Sequence, residues 1–200
     1  MSLLDSILYL QAVVWMIPPF RQYRTQYFIF FLLLAFPDIF ILTYTFAIGP
    51  INFPSIYLAE VYLLNFSLML DYAKLKKYSP FILLSAGILW YYSGGIDTET
   101  TQTLIGILFI PIFLIILKRT ITELFSTRSI NVFMFVLLLY STTIVLKFLF
   151  RFINPEPGLN YFYLITIFNI FIGIFFIFFN YNNSPRISID KYFDTGGVTK

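Results

Sequence analysis

Two carboxylates stand where an apolar chain should carry none. Asp38 lies in "FPDIF" and Glu60 in "YLAEVYLL", each inside an almost unbroken apolar run. If those runs are helices crossing a bilayer, an ionised side chain at mid-helix costs about 2.5–3.5 kcal/mol, so neither acid should face lipid. Asp38 falls 8 residues before the end of its run, and Glu60 falls 7 residues after the start of the next. At 1.5 Å per residue those offsets are about 12 Å and about 10 Å, which sets both acids at one depth on consecutive helices.

Helical spacing groups further polar residues with them. Tyr57, Glu60, Ser67 and Asp71 fall at i, i+3, i+10 and i+14, one stripe broken only by Leu64. Tyr140, Thr143, Lys147 and Arg151 make a second stripe, this one positive. Asp38 shares its face with Thr45, while Gln11, Tyr163, Thr166 and Asn169 add neutral groups at intermediate depth. In a low dielectric opposite charges pair, so Lys147 or Arg151 is the expected partner of Asp38 or Glu60. Pro37 withholds the amide that would bond the Leu33 carbonyl, freeing a backbone acceptor about one turn from Asp38. The chemistry this set suits is binding or passage of a small polar solute, a proton or a cation. Its expected site residues are Asp38, Glu60, Lys147, Arg151, Tyr57, Thr143, Asn169 and Gln11. Two plainer readings compete: a buried charge network that fixes helix order, and snorkelling of Lys147 and Arg151 to the headgroups. Intramembrane ionisable residues default to function, which puts the solute reading first.

Other chemistries are excluded. Cys and His are both absent, which removes disulfides, thiolate nucleophiles, His-based acid–base work and the usual zinc sites. No P-loop and no HExxH occur. The last apolar stretch has no lysine for a retinal Schiff base. Asp38 and Glu60 sit in no protease motif. The expectation is a non-enzyme with no cofactor, no metal and no nucleic-acid partner.

The elements that must position these residues follow from composition. Of 200 residues, 59% are hydrophobic and 12% charged, with mean hydropathy +0.83, far from the roughly 25% charged of a soluble domain. The 26 Phe and 15 Tyr exceed what a soluble interior of this length could hide. Seven apolar stretches appear: Leu3–Ile17, Tyr27–Phe46, Phe53–Leu70, Phe81–Tyr92, Leu104–Leu117, Ile130–Leu149 and Tyr161–Phe179. A span needs about 20 residues. The first, fourth and fifth reach that only with their polar and aromatic flanks, as interfacial Tyr and Trp permit.

Charge tests the count. With seven spans, 11 of the 13 basic residues fall on one side, and Lys147 and Arg151 alone fall on the other, with the acidic "GGIDTETTQ". Basic residues stay cytoplasmic, so the N-terminus is expected outside and the C-terminus inside. The first stretch lacks a positive n-region and a small-residue cleavage site, so a retained helix is favoured over a signal peptide. The expected architecture is all-α and polytopic: residues 1–180 form a seven-helix transmembrane domain, and residues 181–200 a short, flexible cytoplasmic tail. No soluble domain is expected beside it. The lipid is expected to be a bacterial inner membrane, with an organellar inner membrane as the alternative.

An ungapped offset of 104 residues sets Arg24 on Arg128, Tyr57 on Tyr161 and Asn65 on Asn169. This suggests a parallel 3+1+3 repeat with the fourth span as linker. That topology resembles the sugar-transporting SWEET proteins, though the chain has no "PQ" dipeptide. Three function classes stand: a small-solute or proton/cation-coupled transporter; a sensor that signals through a cytoplasmic protein partner; and a non-catalytic subunit of a larger membrane complex. The transporter leads because the polar stripes converge at one depth.

Overall fold

Each apolar stretch folds as a helix. The computed structural model describes residues 3–49, 53–153 and 159–189. Helix α1 (Leu3–Met16) stops before Pro18 and Pro19, which cannot extend its ladder and instead start the single turn α2 (Pro18–Arg21). Helix α3 (Phe28–Ala47) carries Pro37 inside it and is followed by α4 (Phe53–Met69). Helices α5 (Tyr72–Ser93) and α6 (Thr98–Thr127) both begin at an Asp cap. The Asp71 carboxylate accepts from the Lys74 N–H at 2.9 Å, and that of Asp97 from the Thr100 N–H at 2.8 Å. These bonds hold both carboxyls below their ordinary range, for Asp71 chiefly through the Lys74 backbone, for Asp97 chiefly through the Thr100 hydroxyl. The strand β1 (Ser129–Asn131) then leads into α7 (Val132–Ile153), α8 (Leu159–Phe178) and the strand β2 (Arg186–Ser188).

The described chain is thus mostly helical, and its seven long helices match the seven apolar stretches one for one. Two of them are long and apolar enough to cross a membrane: α6, and α7 over Val132–Phe150. Such helices suit a membrane-associated chain. The fourth and fifth stretches grow most relative to the sequence reading: the Asp caps start both helices before the first apolar run, and α6 also continues past Leu117 to Thr127.

The helices close into a ring. Helix α1 packs on α3, α3 on α4, α4 on α6, α6 on α7, α7 on α8, and α8 back on α1. Helix α5 lies outside this ring against α4, tied by a Tyr62–Ser85 hydroxyl bond of 2.9 Å and by Trp90 set edge-on to Phe40. The side-chain amide of Asn65 reaches the Leu108 carbonyl, and Arg119 reaches that of Leu68, so α4 and α6 run parallel. Two glycines allow the closest approaches. A Cβ on Gly173 would lie 2.7 Å from Val14 Cγ1 and 3.2 Å from Trp15 Nε1; one on Gly106 would lie 2.9 Å from the Phe148 Cβ.

The core fills the ring on the α2 side. Phe31, Phe133 and Phe176 are fully buried, with ring centroids 4.8–6.1 Å apart, and Trp15 and Tyr27 flank them. Beyond this plug the end is laced shut. Arg21 and Gln22 donate to the carbonyls of Phe178 and Phe179, and Ser184 accepts from the Phe133 N–H. Strand β1 pairs antiparallel with β2, with Ile130 opposite Ile187. The expectation of a flexible tail therefore changes for residues 181–189. They form a turn and a strand because β1 offers unpaired backbone groups and Glu123 draws Arg186 to 3.5 Å. The rest of the tail lies outside the described residues.

The ungapped repeat register fares unevenly. It pairs Asn65 with Asn169, both buried, but also sets buried Glu60 and Ser67 against exposed Leu164 and Phe171.

Candidate functional site

At the end of the ring away from α2, the helices diverge around a cavity of about 460 Å³. All six ring helices contribute walls, and α5 contributes none. Six of the eight residues singled out from sequence line it: Gln11, Asp38, Tyr57, Glu60, Lys147 and Asn169. They come from α1, α3, α4, α7 and α8, so the convergence is a property of the ring and not of any one helix. Helical spacing explains it locally. Asp38 stands one turn beyond buried Leu34 on α3, and Tyr57, Glu60 and Val61 share one face of α4.

The geometry separates the two acids. The Tyr57 hydroxyl donates to Asp38 Oδ1 at 2.9 Å, and the Lys147 charge acts on the same carboxylate. Glu60 lies deeper, 8% exposed, beside Tyr140, whose ring sits 4.8 Å from that of Trp15. Among the described residues the Glu60 side chain makes no hydrogen bond or ion pair, and the charge that acts on it is that of Asp38. The expected pairing is thus found in part. Asp38 has the cationic neighbour, and Glu60 does not.

The other sequence expectations divide. The Thr143 hydroxyl donates back to the Leu139 carbonyl at 2.9 Å and is not part of the cavity wall. Thr143 follows Tyr140 by one turn, yet Ile144 takes the inward position, because 3.6 residues per turn rotates the face past i+3. The side chains of Arg151 and Thr45 lie outside the described residues. Thr166 lines the cavity, whereas Tyr163 lies in a shallow surface groove with Leu164 and Phe168. Ser67 turns to its own helix, donating to the Leu64 carbonyl, and Asp71 serves as a cap, so the α4 stripe reaches the cavity only through Tyr57 and Glu60.

Some lining residues were missed from sequence. Gln102 ends the acidic "GGIDTETTQ" and stands outside the fifth apolar stretch; helix α6 starts at the Asp97 cap and carries it to the cavity wall. The signal was a long amide two residues from the first apolar position of α6. Trp15, Phe109 and Phe148 were hidden among many aromatics. Gln102 Oε1 and Asn169 Oδ1 are buried without a partner among the described residues. Such an orphaned acceptor costs about 1–3 kcal/mol, which a ligand donor or water would recover.

A second cavity, about 840 Å³, lies at the laced end. Lys118, Arg119, Arg186 and Glu123 line it with Tyr27 and Tyr181. Arg119 stands over the Tyr27 ring at 5.8 Å. Burial, and then the Glu123 carboxylate, push the Tyr181 phenol above its ordinary value. The chemistry here is already paired: Glu123 holds Asn131 at 2.9 Å and Arg186 at 3.5 Å. Among the described residues no cluster of three acids could hold a metal ion. Comparison with protein-family models, curated proteins and solved structures finds no match for this chain.

Proposed function

We propose that this chain is an integral membrane protein of seven spans that moves a small polar solute, proton or cation through the Asp38–Glu60 cavity. The observation that carries the reading is the convergence of Asp38, Glu60 and Lys147 on one cavity, next to a buried aromatic plug. Such a chamber, open at one end and sealed at the other, is what one state of an alternating-access carrier requires. The membrane assignment is supported by a belt of exposed large apolar side chains around the ring, among them Leu164, Phe171, Phe178 and, on α5, Phe81 and Tyr91. The orientation follows the charge asymmetry. Arg21, Arg119 and Arg186 belong to the laced end, a basic bias that supports a cytoplasmic position for that end and an outer one for the cavity mouth. A 3+1+3 organisation is supported by the ring order, which brings α1, α3 and α4 against α6, α7 and α8 and leaves α5 outside as the link.

The test uses the absence of native cysteine. Gln11→Cys should react with a membrane-impermeant maleimide added outside intact cells, and Ser129→Cys only after lysis. In proteoliposomes, an interior pH dye should report solute- or gradient-driven proton movement that Asp38→Asn removes. Labelling of Ser129→Cys and not of Gln11→Cys from outside would overturn the orientation, and flux indifferent to Asp38→Asn would overturn the carrier. A second reading, a sensor acting through a cytoplasmic partner, is favoured by the pre-built basic cavity at the laced end. It predicts ligand binding without flux. A complex subunit would show neither, and would instead co-purify through the exposed aromatic face of α5.

A further inference from the structure

We propose that the ligand of the Asp38–Glu60 cavity is a small organic cation, an alkylammonium or guanidinium group, with Glu60 as its counter-ion. The inference rests on the reading of this cavity as a solute chamber.

Charge is the first ground. The described walls hold two acids and one base. Asp38 is answered by the Tyr57 hydroxyl at 2.9 Å and by Lys147. Glu60 is answered by neither. A buried carboxylate beside a second one is stabilised by a cation, left as it is by a neutral solute, and opposed by an anion.

Hydrogen-bonding capacity is the second. Among the described residues the orphaned buried atoms of the walls are both acceptors, Gln102 Oε1 and Asn169 Oδ1, and the Glu60 carboxylate beside them makes no hydrogen bond. Ammonium and guanidinium groups are donors only, so they match a surplus of acceptors and leave none of their own hydrogens in conflict.

Size and surface are the third. A volume of about 460 Å³ is that of an organic-ligand site and far exceeds what a dehydrated metal ion needs. The floor beside Glu60 is aromatic: Trp15 and Tyr140 lie with centroids 4.8 Å apart, and Phe109 stacks on Phe148 at 6.2 Å. Aromatic faces close to a carboxylate attract organic cations through the ring quadrupole. An inorganic divalent ion would want several oxygens around one point, and the described residues gather no three acids.

Trp15 is also the reporter. The chain has two tryptophans, and Trp90→Phe leaves Trp15 alone on the cavity wall. The full-length Trp90→Phe protein, purified in detergent, is titrated with ethylammonium, guanidinium, acetamide and acetate at constant ionic strength. Saturable change in Trp15 emission is expected with the two cations and not with acetamide or acetate. Glu60→Gln should weaken cation binding roughly tenfold or more, and Glu60→Asp, which keeps the charge, should retain most of it. The unsubstituted chain supplies a readout that needs no variant: ethylammonium should raise its thermal midpoint, while acetamide and equimolar sodium chloride should not. Equal binding of acetamide or acetate, or a Glu60→Gln affinity within about twofold of the parent, overturns the inference. So does an emission change that follows pH alone and disappears in Glu60→Gln, because Glu60 would then carry a proton and not an organic cation. Maleimide labelling of Gln11→Cys separates the failures. If it labels and no cation binds, only this inference falls. If it does not label, the solute chamber falls with it.

Discussion

At the α2 end of the ring, side chains bridge from element to element, and several of the bridges end on backbone carbonyls. Arg21, Gln22 and Arg119 bind the carbonyls of Phe178, Phe179 and Leu68, and β1–β2 clasps the connection. At the opposite end one side-chain bond, Tyr57 to Asp38, joins ring helices across the cavity among the described residues. Among the described residues Gln102 Oε1 and Asn169 Oδ1 stand there without a partner, and Glu60 makes no hydrogen bond or ion pair. Both ends draw on the same apolar helices, so the difference lies in where the polar groups were placed. Paired polar groups lock helices together, and unpaired ones leave stability unrealised that a ligand can supply. Among the described residues the closed end, where Gln22 Oε1 is an orphaned acceptor beside many paired groups, is tied across its helices by several bonds, and the open end by that of Tyr57 to Asp38.

Substitution at matched positions should break this contrast if it is wrong. Phe133 is fully buried among Phe31, Phe176 and Tyr27. Phe133→Ala should cost about 3–5 kcal/mol, the usual range for an aromatic cavity. Tyr57→Phe at the open end removes a hydroxyl and no volume, and should cost about 1 kcal/mol while impairing transport. Denaturant or thermal unfolding in one detergent compares the two. Similar losses would mean that the cavity end bears as much of the fold as the plug.

Helices were legible in the sequence because apolar runs and caps are local signals. Seven stretches became seven helices, and the Pro18–Pro19 stop fell where the backbone chemistry requires. That Asp38 and Glu60 reach one cavity was legible for the same reason, since helical rise converts sequence offset into height, although Glu60 lies deeper than the offsets suggest. What the sequence hid was azimuth and neighbourhood. Thr143 and Ile144 differ by one position, and only packing of α7 on α6 and α8 decides which of them turns inward. The parting of the acids into a partnered Asp38 and an unpartnered Glu60 depends on where Lys147 arrives from another helix. Gln102 was lost because it sits in a Thr-rich polar flank, outside the apolar run by which the helix was recognised. The strand pairing of residues 186–188 needs β1, whose backbone hydrogen bonds carry no side-chain pattern in three residues.

Arg119 sharpens the comparison at a smaller scale. Its guanidinium donates to the Leu68 carbonyl at 2.6 Å and lies over the Tyr27 ring, so it ties α6 to both α4 and α3 at the closed end. Arg119→Ala should cost about 1.5–3 kcal/mol, the range for a hydrogen bond to a charged donor. Arg119→Lys keeps the charge but loses the planar fork, and should recover only part of that. The locking role predicts more than lost stability: Ser129→Cys at this end should label faster in the Arg119→Ala background, while Gln11→Cys labelling is unchanged. Equal acceleration at both ends would show a general loosening and no local lock.

The smallest effect concerns the caps that start α5 and α6, on opposite ends of the bundle. Asp71 and Asp97 are both held below the ordinary carboxylate range by the bonds they accept from Lys74 and Thr100. A depressed folded-state value means that the cap contributes fully above the unfolded carboxyl value, about 3.9. It is lost as pH falls through the lower, folded value. Amide exchange at Lys74 and Thr100 should therefore accelerate on acidification while the plug amides near Phe133 stay protected. Asp97→Asn keeps a capping oxygen and should remove the acid sensitivity at Thr100, whereas Asp97→Ala should raise exchange at neutral pH as well. Asp97 opens the helix that carries Gln102 into the cavity, and Asp71 opens one that never reaches it. Acidification should thus alter Trp15 emission in the Asp71→Asn protein and, to a lesser degree, in the Asp97→Asn protein. An identical response in both would detach the cap from the cavity and leave it as a purely local stop on helix fraying.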